Sequence, residues 1–257
     1  MYGGMMSEKV AAITGGNSGI GRAIAQKFLQ EGYKVAVLGR NQETLDETKS
    51  LLNNEALLVQ GDVSSLEDID RFYSSINQKW GRLDVVVANA GVSRRIPTQD
   101  VTEEDFDWMF SINAKGAYFT AQKAIPYLKP GSSVVFISSI SSRLGVATHG
   151  IYSGTKAAVD KFSDCFAAEF AESRGIRFNV VSPGYTETPI FEKAIELNSK
   201  FIEETSERIP MKRFAKPEEI AEAVYFLSSE KGCYICGHNL VVDGAFSSTY
   251  PIPAKNL

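Results

Sequence analysis

Lys9-Val-Ala-Ala-Ile-Thr14, running straight into Gly15-Gly-Asn-Ser-Gly19-Ile-Gly21 and then Arg22-Ala-Ile-Ala-Gln-Lys-Phe28, decides the fold. The first segment is short and apolar, as in a strand buried on both faces. Its glycines permit a tight turn and a close backbone approach. Ile20, Ala23, Ile24 and Phe28 then recur at helical spacing as far as Gly32. Strand, glycine turn and helix in that order bring free N–H groups and a positive helix end to one point, a cradle for a pyrophosphate. The spacing is G-x-x-x-G-x-G and not the general dinucleotide pattern G-x-G-x-x-G, so placement between a first strand and a first helix carries the reading.

The alternation continues outward from that stretch. Val35–Leu38, Ala56–Gln60, Leu83–Ala88, Ser133–Ile137, Arg177–Val181 and Asn239–Val242 read as further strands. Helical patterns fill the gaps: 42–52, 66–80, 102–128, 152–173 and one starting at Pro217. Phe106, Met109, Ile112, Gly116 and Phe119 form a stripe on the long pattern, and Val159, Phe162, Phe166 and Phe170 one on the next. Seven short strands alternating with helices predict an α/β fold, a doubly wound parallel sheet covered by helices on both faces. No Pro/Ser-rich linker interrupts the chain, so residues 9–257 are expected to form one domain behind a disordered leader at 1–8.

A second stretch, Ser139 to Lys156, carries the chemistry. Tyr152 and Lys156 are four residues apart and share one face of a helix. A phenol titrates at about 10, and a neighbouring ammonium favours its ionised form. Ser139 follows the strand-like run Val134-Val-Phe-Ile137, which sets its hydroxyl at the carboxyl edge of the sheet, where open α/β sheets bind ligands. Ser138, Ser141 and Ser142 crowd it, and its spacing to Tyr152 selects it. Alone, a Tyr/Lys pair at this spacing also fits an amphipathic helix face.

Composition narrows the function. The net charge is −4 over 257 residues, 23% of them charged and 44% hydrophobic, which describes a folded chain without a nucleic-acid-binding basic block. No apolar run approaches the roughly 18 residues that cross a membrane, and the N-terminal MYGGMMSEK lacks the basic and apolar parts of a signal peptide. Cys165, Cys233 and Cys236 are too few for a disulfide framework and point to a reducing compartment. Cys233 and Cys236 are expected to be buried and structural. His149 and His238 are the only histidines, so no metal site is expected. No G-x-S-x-G elbow occurs.

Together, Thr14-Gly15-x-x-x-Gly19-x-Gly21, Asp62-Val63, Asn89-Ala90-Gly91, Asn113, Ser139, Tyr152-x-x-x-Lys156 and Pro183-Gly184 resemble the short-chain dehydrogenase/reductase family. The resemblance covers nearly the whole chain and implies a single Rossmann-fold domain, cytoplasmic, with a nicotinamide cofactor and a small carbonyl or alcohol substrate. It implies that Gly15, Gly19 and Gly21, with Thr14, Asn17, Ser18 and Ile20, wrap the pyrophosphate. Asp62 and Val63 would hold the adenine, and Asn89, Ala90 and Gly91 would line the cofactor floor. Tyr152 would pass the proton, Ser139 orient the substrate oxygen, and Lys156 tune Tyr152 and hold the nicotinamide ribose. Asn113 would hold a water between Lys156 and solvent. Pro183, Gly184, Thr186 and Thr188 would close the nicotinamide end. The family's habit also implies a homodimer or homotetramer through the helices at 102–128 and 152–173, with a second contact from Val242 onward.

Specificity is read from the second strand's end, Leu38-Gly39-Arg40-Asn41. NAD sites place a carboxylate there for the ribose 2′-hydroxyl. Gly39 removes it, and Arg40 offers a fork that matches a phosphate, so NADP(H) is expected over NAD(H). Ser18 argues the other way, since many NADP-dependent relatives carry a basic residue at that position. The substrate pocket is expected from Ser93, Arg94, Arg95, Val146, His149, Tyr185 and a lid around 186–212, with Arg94 and Arg95 available to an anionic substrate. A 3-oxoacyl carrier-protein reductase docking through Lys129, Arg174 and Arg177 is the alternative, and a cofactor-binding regulator without turnover a further one.

Overall fold

The computed structural model describes residues 8–249. The expected leader falls at 1–7, outside the described residues, apart from Glu8, which pairs with Lys34 at 3.2 Å. Residues 250–257 also lie outside them.

Val10–Thr14 (β1) is buried along its length. Successive side chains of a strand point to opposite faces, so Val10 and Ala12 enter one core and Ala11 and Ile13 another. The same alternation runs through Lys34–Gly39 (β2) and Leu83–Ala88 (β4). Leu57–Gln60 (β3), Leu128–Ile137 (β5), Arg177–Pro183 (β6) and Asn239–Val242 (β7) complete one parallel sheet in the order β3-β2-β1-β4-β5-β6-β7. Helices Gly19–Gln30 (α1), Gln42–Leu51 (α2) and, later, Pro217–Ser228 cover one face through Ile24, Phe28, Leu45, Ile220 and Val224. Leu66–Trp80 (α3), Glu103–Phe110 (α4), Ala117–Ala124 (α5) and Gly150–Arg174 (α6) cover the other through Ile69, Phe72, Ala117, Val159 and Phe166. The doubly wound, seven-stranded parallel architecture expected from the sequence is the observed one. Its strand order reverses between β1 and β4, which opens a crevice at their carboxyl ends.

Three expectations need correction. The helix expected at 102–128 is not continuous. Ser111–Gly116 forms a wider π-turn between α4 and α5, and the chain leaves helix at Ile125–Tyr127. The widening contains Asn113, whose amide bonds the Val92 backbone through both its oxygen and its nitrogen. Phe106 is 46% exposed and stacks on Phe110 rather than forming part of a buried stripe. β5 starts at Leu128, ahead of Ser133, because Leu128 already pairs with Leu83 before the strand bulges and rejoins at Val85–Ser133. Cys165, Cys233 and Cys236 are exposed free thiols, so the buried role expected for the last two does not hold.

Between Thr186 and Ala215, which bridge side by side, the expected lid folds as a turn at Pro189–Phe191 and two short helices, Glu192–Leu197 (α7) and Phe201–Ser206 (α8). The helix Pro217–Ser228 is accordingly α9. The rings of Tyr185, Phe191, Phe201, Phe214 and Phe246 knot together at the base of this excursion, with neighbouring centroids 5.3 to 6.5 Å apart. No helix among the described residues is long and apolar enough to cross a membrane.

Candidate active site

The glycine turn is built so that backbone approaches backbone. Gly15 has φ +64 and donates its N–H to the Leu38 carbonyl at 2.7 Å. A Cβ on Gly21 would lie 2.2 Å from the Gly15 carbonyl oxygen, and one on Gly16 2.9 Å from Val37. Asn89 at the end of β4 ties the turn down, its Nδ2 donating to the carbonyls of Thr14 and Gly15 at 3.0 Å each. The Thr14 hydroxyl accepts from the N–H groups of Asn89 and Ala90 at 3.2 and 3.3 Å. Ser18 precedes α1 in extended conformation and makes no side-chain cap, which leaves the helix's first N–H groups to an incoming anion. Thr188 arrives from beyond β6, its side chain 3.2 Å from where a Cβ of Gly19 would be. Gly184 packs against Asp243, and the Thr186 hydroxyl donates to the Gly184 carbonyl at 3.2 Å. These residues, 170 or so positions apart in sequence, thus meet around one cradle that fits a dinucleotide phosphate.

At the adenosine end, Asn41 caps α2, its Oδ1 accepting from the Thr44 N–H at 3.1 Å. Arg40 is 55% exposed, with Nη1 3.5 Å from Asp62 Oδ2. Asp62 Oδ1 accepts from the backbone and hydroxyl of Ser64 at 2.8 Å, a turn ahead of α3, while Ser65 provides the helix cap. Val63 packs its side chain into the core against Gly116. Ile20 rests against the α1 side of the core.

The start of α6 carries the reactive pair. Lys156 is 5% exposed and its Nζ donates to the Ile137 carbonyl at 2.9 Å, which fixes the helix to the end of β5. Burial lowers the Lys156 pKa to about 8, against the pull of Asp160 one turn on. The Nζ lies 5.8 Å from the Tyr152 ring centre. Tyr152 is half-buried, and burial raises its pKa while a hydrogen bond with Ser139 lowers it. Lys156 was expected to draw the phenol down; burial instead raises its pKa, which holds the phenol in its protonated form at pH 7. Ser139 is buried and accepts from the Ser141 N–H at 3.1 Å. Ser138 is committed elsewhere, its hydroxyl donating to the Lys156 carbonyl at 3.2 Å.

Asn113 clamps Val92 from both sides. Its Oδ1 accepts from the Val92 N–H and its Nδ2 donates to the Val92 carbonyl, each at 2.8 Å. Nδ2 also donates to the Thr155 hydroxyl at 3.1 Å, and Thr155 in turn donates to the Tyr152 carbonyl at 2.7 Å. Thr155, fully buried, is a site residue that the sequence did not mark. Its position beside Lys156 on the inner face of the helix was the available signal. Gly91 lies between Asn113 Oδ1 and Lys156 Nζ, 3.4 and 3.5 Å from where its Cβ would be.

The pocket residues are less uniform. Val146 and His149 belong to the loop entering α6, and His149 stands 5.5 Å from Tyr152 by ring centres. Tyr185 is part of the aromatic knot under the lid. Arg94 is not available as expected: it forms an ion pair with Asp105 and lies 4.7 Å over the Trp108 ring. Of the basic patch expected from Lys129, Arg174 and Arg177, Lys129 and Arg174 are exposed, while Arg177 is drawn inward. Arg177 donates to the carbonyls of Leu227, Gly232 and Ser228, and Arg174 to those of Ile125 and Leu128. No cluster able to hold a metal ion occurs among the described residues.

Comparison with known proteins places this geometry. Residues 15–247 match the family model described as enoyl-(acyl carrier protein) reductase. Oxidoreductase asL5 of Sarocladium schorii is 35% identical over 244 residues, covering 94% of this chain and 97% of that one. The 3-oxoacyl-(acyl-carrier-protein) reductase FabG of Thermotoga maritima is 36% identical over 245 residues, covering 92% and 96%. Among solved structures, a short-chain dehydrogenase/reductase, glucose/ribitol dehydrogenase, from Brucella melitensis superposes with a TM-score of 0.88 at 29% identity, over 94% of this chain and 97% of that one.

Proposed function

The chain belongs to the short-chain dehydrogenase/reductase family, and we propose that it moves a hydride between NADP(H) and the carbonyl or alcohol of a small molecule, with Tyr152 as general acid and base. The observation that carries this reading is the convergence of Tyr152, Ser139 and Lys156 at the end of β5, across the crevice from the glycine turn. When bound, a nicotinamide supplies or accepts the hydride. Gly15, Gly19 and Gly21 would hold its pyrophosphate, Asp62 and Val63 its adenine, and Gly91, Pro183, Gly184, Thr186 and Thr188 its far end. Tyr152 hands its proton to the carbonyl oxygen in reduction and takes it back in oxidation. Burial keeps the phenol protonated, the form that reduction requires. Ser139 donates a second hydrogen bond to the same oxygen. Lys156, below its ordinary pKa yet still charged at pH 7, favours the phenolate left behind. Asn113, through Val92 and Thr155, fixes the floor on which this occurs.

The cofactor choice rests on Gly39. A Cβ there would lie 2.5 Å from Asn17 Oδ1, and Asn17 is itself held by Thr44 at 2.6 Å. A carboxylate for a 2′-hydroxyl has no room at this position. Arg40 stands beside it, and its only ion pair among the described residues is the long contact with Asp62. A charge-assisted phosphate contact is worth about 1.5–3 kcal/mol, or roughly tenfold or more. We therefore expect kcat/KM at least about tenfold higher with NADPH than with NADH on a panel of ketones, and a ratio close to one in Arg40→Ala. Equal use of both cofactors by the wild type would show that Arg40 does not read the 2′-phosphate, and turnover of no carbonyl with either would favour a regulator.

The similarity to FabG keeps a 3-oxoacyl carrier-protein substrate as a second reading. The engagement of Arg174 and Arg177 with backbone carbonyls weakens it. Three exposed free thiols fit a reducing, cytoplasmic setting. For assembly we propose a dimer or tetramer through α5 and α6. Tyr118, Ile125, Phe166 and Phe170 line a groove of about 360 Å³ there, and Tyr118 is 37% exposed. Gly116 and Ala117, by contrast, face inward and pack on the core. Light scattering should give a multiple of 28.1 kDa, and a monomer mass at micromolar concentration would refute the arrangement.

A further inference from the structure

His149 has no part in the mechanism above, yet it stands with its ring 5.5 Å from that of Tyr152. The chain reaches it through Thr148, whose φ of +65 is a strained conformation for a β-branched residue. Strain of this kind persists only where the surroundings hold it, and it clusters at functional sites. The Thr148 carbonyl accepts from the Ile96 N–H at 2.8 Å, which ties this loop to the segment bearing Arg95. Arg95 is exposed, makes no ion pair among the described residues, and its charge reaches the imidazole.

The protonation state of His149 follows from its surroundings. Burial, aided by Arg95, lowers its pKa to about 4, so the ring is neutral at pH 7. Nδ1 is closed off from solvent and has no hydrogen-bond partner. A neutral imidazole carries one donor and one acceptor nitrogen. Placing the proton on Nδ1 would bury an N–H with no acceptor, so we assign it to Nε2. The ring then carries a neutral N–H donor beside the phenol, within reach of the charge of Arg95.

Resting on the carbonyl-reductase reading, we propose that His149 and Arg95 recognise a second, anionic oxygen of the substrate, so that the preferred substrates are oxo acids whose carboxylate lies a few bonds from the reacting carbonyl. A site built to pair with such an oxygen discriminates strongly against analogues that lack it.

The test compares kcat/KM for acetoacetate, 4-hydroxy-2-butanone and 2-pentanone. The wild type should prefer acetoacetate to 2-pentanone by about tenfold or more, with the hydroxyketone between them. In His149→Phe that ratio should fall by about tenfold, and in His149→Gln, which keeps an N–H donor, it should largely recover. Arg95→Ala should reduce the preference through KM and weaken its dependence on salt. A wild-type ratio near one, or a ratio that His149→Phe does not move, would overturn the proposal. A wild type that reduces other ketones of the panel but not acetoacetate would overturn this inference alone, whereas one that reduces no carbonyl with either cofactor would overturn the carbonyl-reductase reading and this inference with it.

Discussion

Tyr152→Phe should lower turnover by about 10²–10⁴-fold, the usual worth of general acid–base catalysis, while leaving the affinity for the dinucleotide nearly as it is. The change removes one oxygen and no ring. The Phe side chain would keep the packing against His149 and the place one turn before Lys156. What disappears is the phenolic proton proposed for the carbonyl oxygen, together with the hydrogen bond to Ser139. Ser139 could still donate its own hydrogen bond, but an aliphatic hydroxyl is a far weaker acid than a phenol and would be left as an alkoxide held only by the Ser141 N–H at 3.1 Å. Cofactor affinity, followed by fluorescence titration, separates this loss from misfolding. A Phe variant that turns over at a tenth of the wild-type rate or better would remove Tyr152 from the mechanism.

Gly21→Ala should fail at an earlier step. Its new methyl would lie 2.2 Å from the Gly15 carbonyl oxygen and 2.4 Å from Asn89 Nδ2. Neither neighbour is free to yield. Gly15 is pinned by Leu38, and Asn89 by two carbonyls at 3.0 Å. Overpacking of this kind costs about 1–3 kcal/mol, and here the displacement falls on the pyrophosphate turn itself. Dinucleotide binding should weaken by about tenfold to a hundredfold, and the thermal midpoint should fall. Gly145→Ala is the control, since nothing lies within 4 Å of its Cβ position. An unchanged dissociation constant in Gly21→Ala would mean that the turn is not where the dinucleotide binds.

Which parts of this were open to a reader of the sequence depends on how local each cause is. The glycine turn, the strand alternation and the Tyr152/Lys156 pair are written at fixed short spacings, so they appear where the periodicity put them. Asn113 was visible as a residue, but the π-turn around it was not. Its amide reaches Val92, twenty-one positions away, a distance that no helical period reports. Arg94 and Arg177 failed for the same reason. A guanidinium reads as a free charge until the fold supplies Asp105 for one and a ring of backbone carbonyls for the other. The phenol's pKa went astray through burial, which a pairwise Tyr–Lys argument leaves out. Gly39 shows the opposite case, because its meaning sharpened once Asn17 was seen to fill the space a side chain would need.

The aromatic knot joins stretches of chain that the sequence keeps far apart. Tyr185 leaves β6, Phe191, Phe201 and Phe214 belong to the excursion between Thr186 and Ala215, and Phe246 follows β7. Close-packed rings transmit displacement rather than absorb it. The five rings therefore couple the stretch between Thr186 and Ala215 to the turns that leave β6 and β7, two neighbouring strands, so that opening space at Phe246 would be felt at Tyr185 and at Phe191 beyond it.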